Sequence, residues 1–194
     1  MPYFVFVEFG SELVRDFLRK LRDALNGEPR QSPIHVTLRG PYDEPPAIAE
    51  LQGYAERLRG YGVKIHNHGY FNTPTGFAVF LRAECSVFRE LWDKPDYKVP
   101  RALIQPHITV FETVDRAAAQ AVRDFLRQEA IHIHTYDLFL SVYESRSPQR
   151  DMFGIPDAKL SGPRLSRDIW RIPEDVLDRA QTLGSELAAA SRRQ

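Results

Sequence analysis

Ile34-His35-Val36-Thr37-Leu38 decides how this chain is read, because its pattern returns 72 residues later as His107-Ile108-Thr109-Val110. Both stretches are His-x-Thr-apolar. In an extended strand successive side chains alternate between faces. His35 and Thr37 therefore point one way, and Ile34, Val36 and Leu38 the other. His107 and Thr109 likewise share a face, backed by Ile108 and Val110. Each copy reads as a strand buried on one face that carries an imidazole and a hydroxyl on the other. Copies that face each other would form a site of two imidazoles and two hydroxyls. With six His and seven Thr in 194 residues, two such triplets exceed chance.

The segments around the two copies repeat in order. Residues 2–9 alternate aromatic and β-branched residues and predict a strand. Ser11 is a suitable N-cap for a helix with Leu13, Val14, Phe17, Leu18, Leu21 and Leu25 at helical spacing and Gly27 as its stop. A polar loop over 28–33 leads into the first motif. A helix over 47–60 follows, then strands at 63–72 and 77–83 joined by the turn Asn72-Thr73-Pro74-Thr75-Gly76. Next come a helix at 86–92, a Pro-rich basic loop over 94–106, the second motif strand at 107–112, a helix at 115–129 and one strand over 131–143. Each half thus runs helix, Pro-bearing loop, His-x-Thr strand, helix, strand. Such an order predicts a duplication with pseudo-twofold symmetry, which sets the motifs face to face across one cleft.

The tail breaks the pattern. Residues 146–194 read as a separate tail: an irregular arm or hairpin over 144–172, made basic by Arg146, Arg150, Arg164, Arg167 and Arg171. An amphipathic helix at 174–190 follows and packs on the main unit, 1–145. Net charge is +0, from 26 basic and 26 acidic residues, so bulk electrostatics call for neither a nucleic acid nor a membrane. The lone Cys85 rules out an intrachain disulfide and suits a reducing cytoplasm. The apolar start is short, has no basic leader and is interrupted by Glu8, so it reads as a strand rather than a signal peptide. No run reaches membrane-spanning length. These features predict a cytoplasmic monomer with no membrane contact and no obligate protein partner.

The paired His-x-Thr-apolar strands resemble those of the 2H phosphoesterase superfamily, the two-histidine group that includes 2′-5′ RNA ligase-like proteins and 2′,3′-cyclic nucleotide phosphodiesterases. Pro106 before the second motif, and Gly69-Tyr70-Phe71 with Gly76-Phe77-Ala78-Val79-Phe80 between the motifs, also fit its pattern. The resemblance covers residues 2–145 and leaves out the tail. It implies an α+β bilobal duplicated fold, two antiparallel sheets flanking a central cleft with helices on the outside. It further implies His35 and His107 as an acid and a base, with no cofactor and no metal. The substrate would be a nucleotide or RNA end bearing a 2′,3′-cyclic phosphate, opened to a 2′-phosphate.

The residues make chemical sense of this. Opening a cyclic phosphodiester needs a base for water and an acid for the departing ribose oxygen, and imidazole can serve as either near neutral pH. Thr37 and Thr109 can donate hydrogen bonds to the non-bridging oxygens. Strand parity adds Arg39 to the face of His35, as a phosphate-binding group, and Phe111 to the face of His107, as a border to the nucleoside. The plainer alternatives are a solvated strand end for Arg39 and a core aromatic for Phe111. Tyr42 and Phe71 are candidates for base stacking, Tyr143 for an approach to the cleft, and Lys98 and Arg101 for guiding an RNA backbone.

His66/His68 and His132/His134 each place two imidazoles on one strand face, at metal-compatible spacing, but lack arranged carboxylates or cysteines. The motifs serve equally for 2′-5′ linkages, hydrolysed or joined. A non-catalytic RNA-binding module is the reading from another class.

Overall fold

The structure is a computed structural model and describes residues 2–91, 105–144, 158–159 and 169–192. Aromatic and β-branched residues alternate through β1 (Tyr3–Phe9), which places Val5 and Val7 wholly inside the core. Helix α1 (Glu12–Asn26) buries Val14, Phe17, Leu18, Leu21 and Leu25 of the stripe its spacing predicts, while Leu13 of that stripe is exposed. It ends at Gly27, whose φ of 68° is a left-handed conformation that glycine adopts without strain. The first motif lies on β2 (His35–Tyr42), and α2 (Ile48–Leu58) is the second helix. Strands β3 (Val63–Thr73) and β4 (Gly76–Glu84) form the expected hairpin. Helix α3 (Phe88–Leu91) is a single turn, anchored by the buried Phe88 and Leu91. The second motif lies on β5 (His107–Thr113). Helix α4 (Arg116–Glu129) then opens at Asp115, whose carboxylate accepts the Ala117 N–H at 2.8 Å.

The segment 131–143 is two strands rather than the one expected, β6 (His132–Thr135) and β7 (Leu138–Glu144). They belong to different sheets. The buried positions change parity between them, from Ile131, Ile133 and Thr135 to Leu138 and Leu140. The chain turns at this point, and the Asp137 carbonyl accepts the Gly10 N–H at 2.8 Å. Beyond lie β8 (Ala158–Lys159), β9 (Ile169–Arg171) and α5 (Val176–Ser191).

The fold is α+β with two antiparallel sheets. Sheet A has the order β2-β1-β7-β8 and sheet B the order β5-β4-β3-β6-β9. The two halves exchange strands: β3 of the first half sits in sheet B and β7 of the second half in sheet A. Helix α4 lies against β3, β4 and β5, α1 runs beside β1 and β5, and α5 covers α1 and α4. One continuous hydrophobic cluster spans both sheets. Motif strands β2 and β5 are edge strands of their respective sheets, and their Cα atoms approach within 8 Å. The cleft between the sheets is thus framed by the two motifs. No helix among the described residues is long and apolar enough to cross a membrane.

The tail is more integrated than an attached arm. Strand β8 extends sheet A and β9 extends sheet B. Arg146, Arg150, Arg164 and Arg167 lie outside the described residues. Helix α5 is fastened to the end of α4 by Arg179. Its Nε donates to Glu129 Oε1 at 2.8 Å and its Nη2 to Oε2, while Glu129 is buried. Gly184 sets the distance between α5 and α1, because a Cβ there would run into the Ala24 carbonyl oxygen.

Two helical glycines should therefore respond oppositely to alanine. Gly184→Ala should lower unfolding free energy by about 1–3 kcal/mol, the cost of overpacking. Gly53→Ala, on α2 with nothing within 4 Å of the new methyl, should raise it by about 0.5–1 kcal/mol through helix propensity alone. Urea unfolding of both variants checks this; a stabilised Gly184→Ala protein would refute the close α1–α5 seat.

Candidate active site

Residues that stand directly opposite each other on neighbouring strands project from the same face. On sheet A, His35 is opposite Glu8 and Thr37 is opposite Phe6. On sheet B, His107 is opposite Arg82 and Thr109 is opposite Phe80. His35, Thr37, His107 and Thr109 are all half-buried, while Val36, Ile108 and Val110 behind them are fully buried. The structure thus brings the four motif side chains to the open faces of two adjoining edge strands.

Both imidazoles are held in the same way. His35 Nδ1 lies 2.9 Å from the Pro33 carbonyl oxygen, and His107 Nδ1 lies 2.8 Å from that of Gln105. A carbonyl only accepts, so each Nδ1 carries a proton. When the ring is neutral, its Nε2 is left with a free lone pair. The turn leading to His35 is fixed by the buried guanidinium of Arg22, which donates to the Ser32 carbonyl at 2.6 Å and the Arg30 carbonyl at 2.9 Å.

Burial holds both rings below the usual histidine range. His35 is pushed down to about 4, chiefly by desolvation; the Pro33 hydrogen bond opposes this, and the charges of His107 and Arg22 add to it. His107 is lowered by desolvation against the opposing bond to Gln105.

Each imidazole rests against an aromatic row. Phe6 stacks on His35 with ring centroids 3.7 Å apart at 17°, and Tyr143 stacks on Phe6 at 5.2 Å. On the other sheet, Phe80 lies 4.9 Å and Phe71 5.1 Å from His107, and these two phenylalanines are 5.3 Å apart. Gly69 leaves room for the Phe80 ring, whose edge a Cβ there would strike. Phe71 thus lies against His107, and Tyr143 lies one ring beyond His35. Phe6 and Phe80 were missed. For Phe6 a signal existed, since β1 alternation puts Phe4 and Phe6 on one face; for Phe80 only the strand register reveals its place.

Three expected contacts fall elsewhere. The pairing slips by one residue at Leu38, so Arg39 stands opposite Val5, a core residue, rather than following Thr37 into the cleft. Arg39 is 7% exposed. It donates to the Tyr54 hydroxyl, lies over the Tyr42 ring at 5.6 Å and is 3.9 Å from Glu50. Tyr42 belongs to this cluster, its hydroxyl 3.3 Å from Glu50 Oε1. A matching slip at Val110 sets Phe111 opposite Val79, and Phe111 is core. Lys98 and Arg101 lie outside the described residues.

The paired-histidine spacing also changes. Asn67, at φ 56°, is an extra residue that sends His66 opposite Arg82 and His68 opposite Leu81, on different faces. Among the described residues no group of three or more His, Cys, Asp or Glu could hold a metal ion.

No family model matches the chain, and no curated protein matches it.

Two expectations follow from this geometry. Arg39→Met should cost about 2–3 kcal/mol of stability by stranding its hydroxyl and carboxylate partners, with ligand affinity of the folded protein unchanged; a ligand-binding defect without a stability loss would return Arg39 to the cleft. The second concerns acid. The folded pKa of His35 lies below its unfolded value, so the unfolded chain takes up the proton first as pH falls. The stability it contributes is complete above about pH 6.5 and is lost on the way down to about 4. His35→Asn should flatten the fall in urea midpoint between pH 7 and pH 4.5, and an equal fall in both proteins would contradict the assignment.

Proposed function

We propose that the protein is a two-histidine cyclic phosphodiesterase of the 2H phosphoesterase type, opening 2′,3′-cyclic phosphates of nucleotides or RNA ends to 2′-phosphates. The observation that carries this reading is the matched pair of carbonyl-held imidazoles, each with Nε2 left for a reacting group, on adjoining strands. Binding alone would not call for two such groups.

In this reading one proton is shared by the pair. His107 and Arg22 both disfavour a charge on His35, so the proton resides on His107. The His35 Nε2 takes a proton from water as its oxygen attacks phosphorus. The bond from phosphorus to the ribose 3′ oxygen breaks, and that oxygen takes the proton from His107 Nε2. Thr37 and Thr109 donate to the two non-bridging oxygens as charge builds there. Tyr143 and Phe71, the accessible ends of the two aromatic rows, give the nucleoside apolar faces to lie against. The setting that goes with this reading is a reducing cytoplasm, with the protein acting as a monomer on a nucleotide or RNA.

A substrate panel tests it: 2′,3′-cyclic mononucleotides, RNA ending in a cyclic phosphate, and 2′-5′ and 3′-5′ dinucleotides, all with EDTA present. Turnover of the cyclic phosphates is expected, falling about 10²–10⁴-fold in His35→Ala and in His107→Ala. Turnover only of 2′-5′ linkages would move the substrate class, and binding without turnover would make the protein an RNA-binding module. The pH profile of kcat/KM should be bell-shaped with its maximum below pH 6.5. His35 must be neutral, which sets the acid limb near pH 4, and His107 must be protonated, which sets the basic limb below the usual histidine value. A maximum above pH 8 would contradict these roles.

A further inference from the structure

The open face of sheet B carries a line of basic groups that the two-histidine chemistry leaves unused. Arg82 on β4 stands opposite His107, and His66 on β3 stands opposite Arg82. His132 on β6 lies beside His66, with ring centroids 5.6 Å apart, and Arg171 on β9 stands opposite His132. These five side chains cross all five strands from one edge of the sheet to the other. At about 4.8 Å between neighbouring strands, the line runs about 19 Å, with His107 at one end.

A cavity of about 520 Å³ opens beside the start of this line, lined by Lys64, Arg82, Arg89, Glu84 and Gln105 among others. Gln105 is the residue whose carbonyl holds His107. Arg82 Nε is buried and has no hydrogen-bond partner among the described residues. Among the described residues Glu84 is the one carboxylate on the cavity wall. It stands opposite Lys64 across the β3–β4 pair and sits 2.9 Å from His66 Nε2, so Arg82 and Arg171 carry the charge of the line itself. Lys64, Arg82 and Arg171 thus share one face of a chain with net charge +0, with Arg82 beside His107 and Arg171 at the far edge.

We infer that this line binds the phosphate backbone of a single-stranded oligonucleotide, so that the substrate is an RNA strand with its cyclic phosphate at the end rather than a free mononucleotide. The inference rests on the proposed function, which puts the reacting phosphate at His107. Length argues for a strand: a line of guanidinium and imidazole groups about 19 Å long exceeds what one nucleotide can span. Composition argues for nucleic acid. The donors are guanidinium, ammonium and imidazole, and the exposed ring of Phe71 lies alongside for a base. In a 2′,3′-cyclic phosphate terminus the rest of the strand extends from the ribose 5′ side, and the line across sheet B is its path.

Fluorescence anisotropy with a short RNA ending in a 3′-phosphate reads the line without catalysis. The double variant Lys64→Ala/Arg171→Ala should weaken binding about 10-fold or more, and it should lower the slope of log K against log salt by about 1.4, two single-strand phosphate contacts. The charge-keeping Lys64→Arg/Arg171→Lys protein should bind like wild type. In turnover assays the alanine double variant should raise KM for a cyclic-phosphate oligonucleotide while leaving a 2′,3′-cyclic mononucleotide unaffected. Unchanged affinity and salt slope would overturn the inference, as would an equal loss on mononucleotide and oligonucleotide. If wild type bound the RNA with the expected salt slope but turned over no phosphate ester, the proposed chemistry would fall and the binding line would stand.

Discussion

One extra residue, placed identically in both motif strands, governs the rest of the site. Leu38 and Val110 each follow the motif threonine, and each breaks the register against its partner strand. A regular strand would have kept Arg39 with His35 and Phe111 with His107. The bulges let each strand show an imidazole and a hydroxyl to the cleft and then turn its next large side chain back into the interior. A bulge leaves backbone groups unpaired, and α1 answers for one of them: Asn26 Nδ2 donates to the Val110 carbonyl at 2.9 Å. The same helix supplies Arg22, which fixes the turn before His35. A single helix from the first half thus bears on both histidines, which couples their spacing to its own seat against β1 and β5.

The duplication is deeper than the motifs. Val5-Phe6-Val7-Glu8 on β1 and Val79-Phe80-Leu81-Arg82 on β4 hold equivalent places beside them. Phe6 is opposite Thr37 as Phe80 is opposite Thr109, and Val5 is opposite Arg39 as Val79 is opposite Phe111. The halves part company at the residue facing each histidine. Glu8, nearly buried, accepts the Ser141 hydroxyl on sheet A; Arg82 occupies that position on sheet B. The asymmetry that matters for a charged ligand therefore lies on the partner strands, not beyond the motifs.

Elements with strong periodicity were legible in the sequence. The buried stripe of α1, the Asp115-capped α4 and the β3–β4 hairpin each follow from residue type and spacing within one segment. The four motif residues were legible because period-two alternation holds from His35 to Thr37 and from His107 to Thr109. It fails one residue later, at Leu38 and Val110, and again at Asn67. A bulge is a property of two paired strands, and the sequence of one strand does not contain it. For the same reason Arg82 escaped notice, since its place beside His107 exists only in the β4–β5 register. The split at Tyr136-Asp137 was readable as a parity change between Ile133 and Leu138, although both sides look like strand.

Burial and charge give the cleft a definite bias. Two desolvated imidazoles close enough to repel disfavour protons, and Arg22 adds to that for His35. The empty cleft at neutral pH is therefore short of the one proton an acid–base pair needs. An anion bound between the rings reverses the sign of the local field, since a negative charge within a few ångströms favours imidazolium. In the proposed chemistry the phosphodiester supplies that charge itself, so binding substrate and acquiring the catalytic proton become one linked event. The sandwich of Phe6 and Phe80 against the rings strengthens the link, because the field of the phosphate acts there through a medium poorer in water.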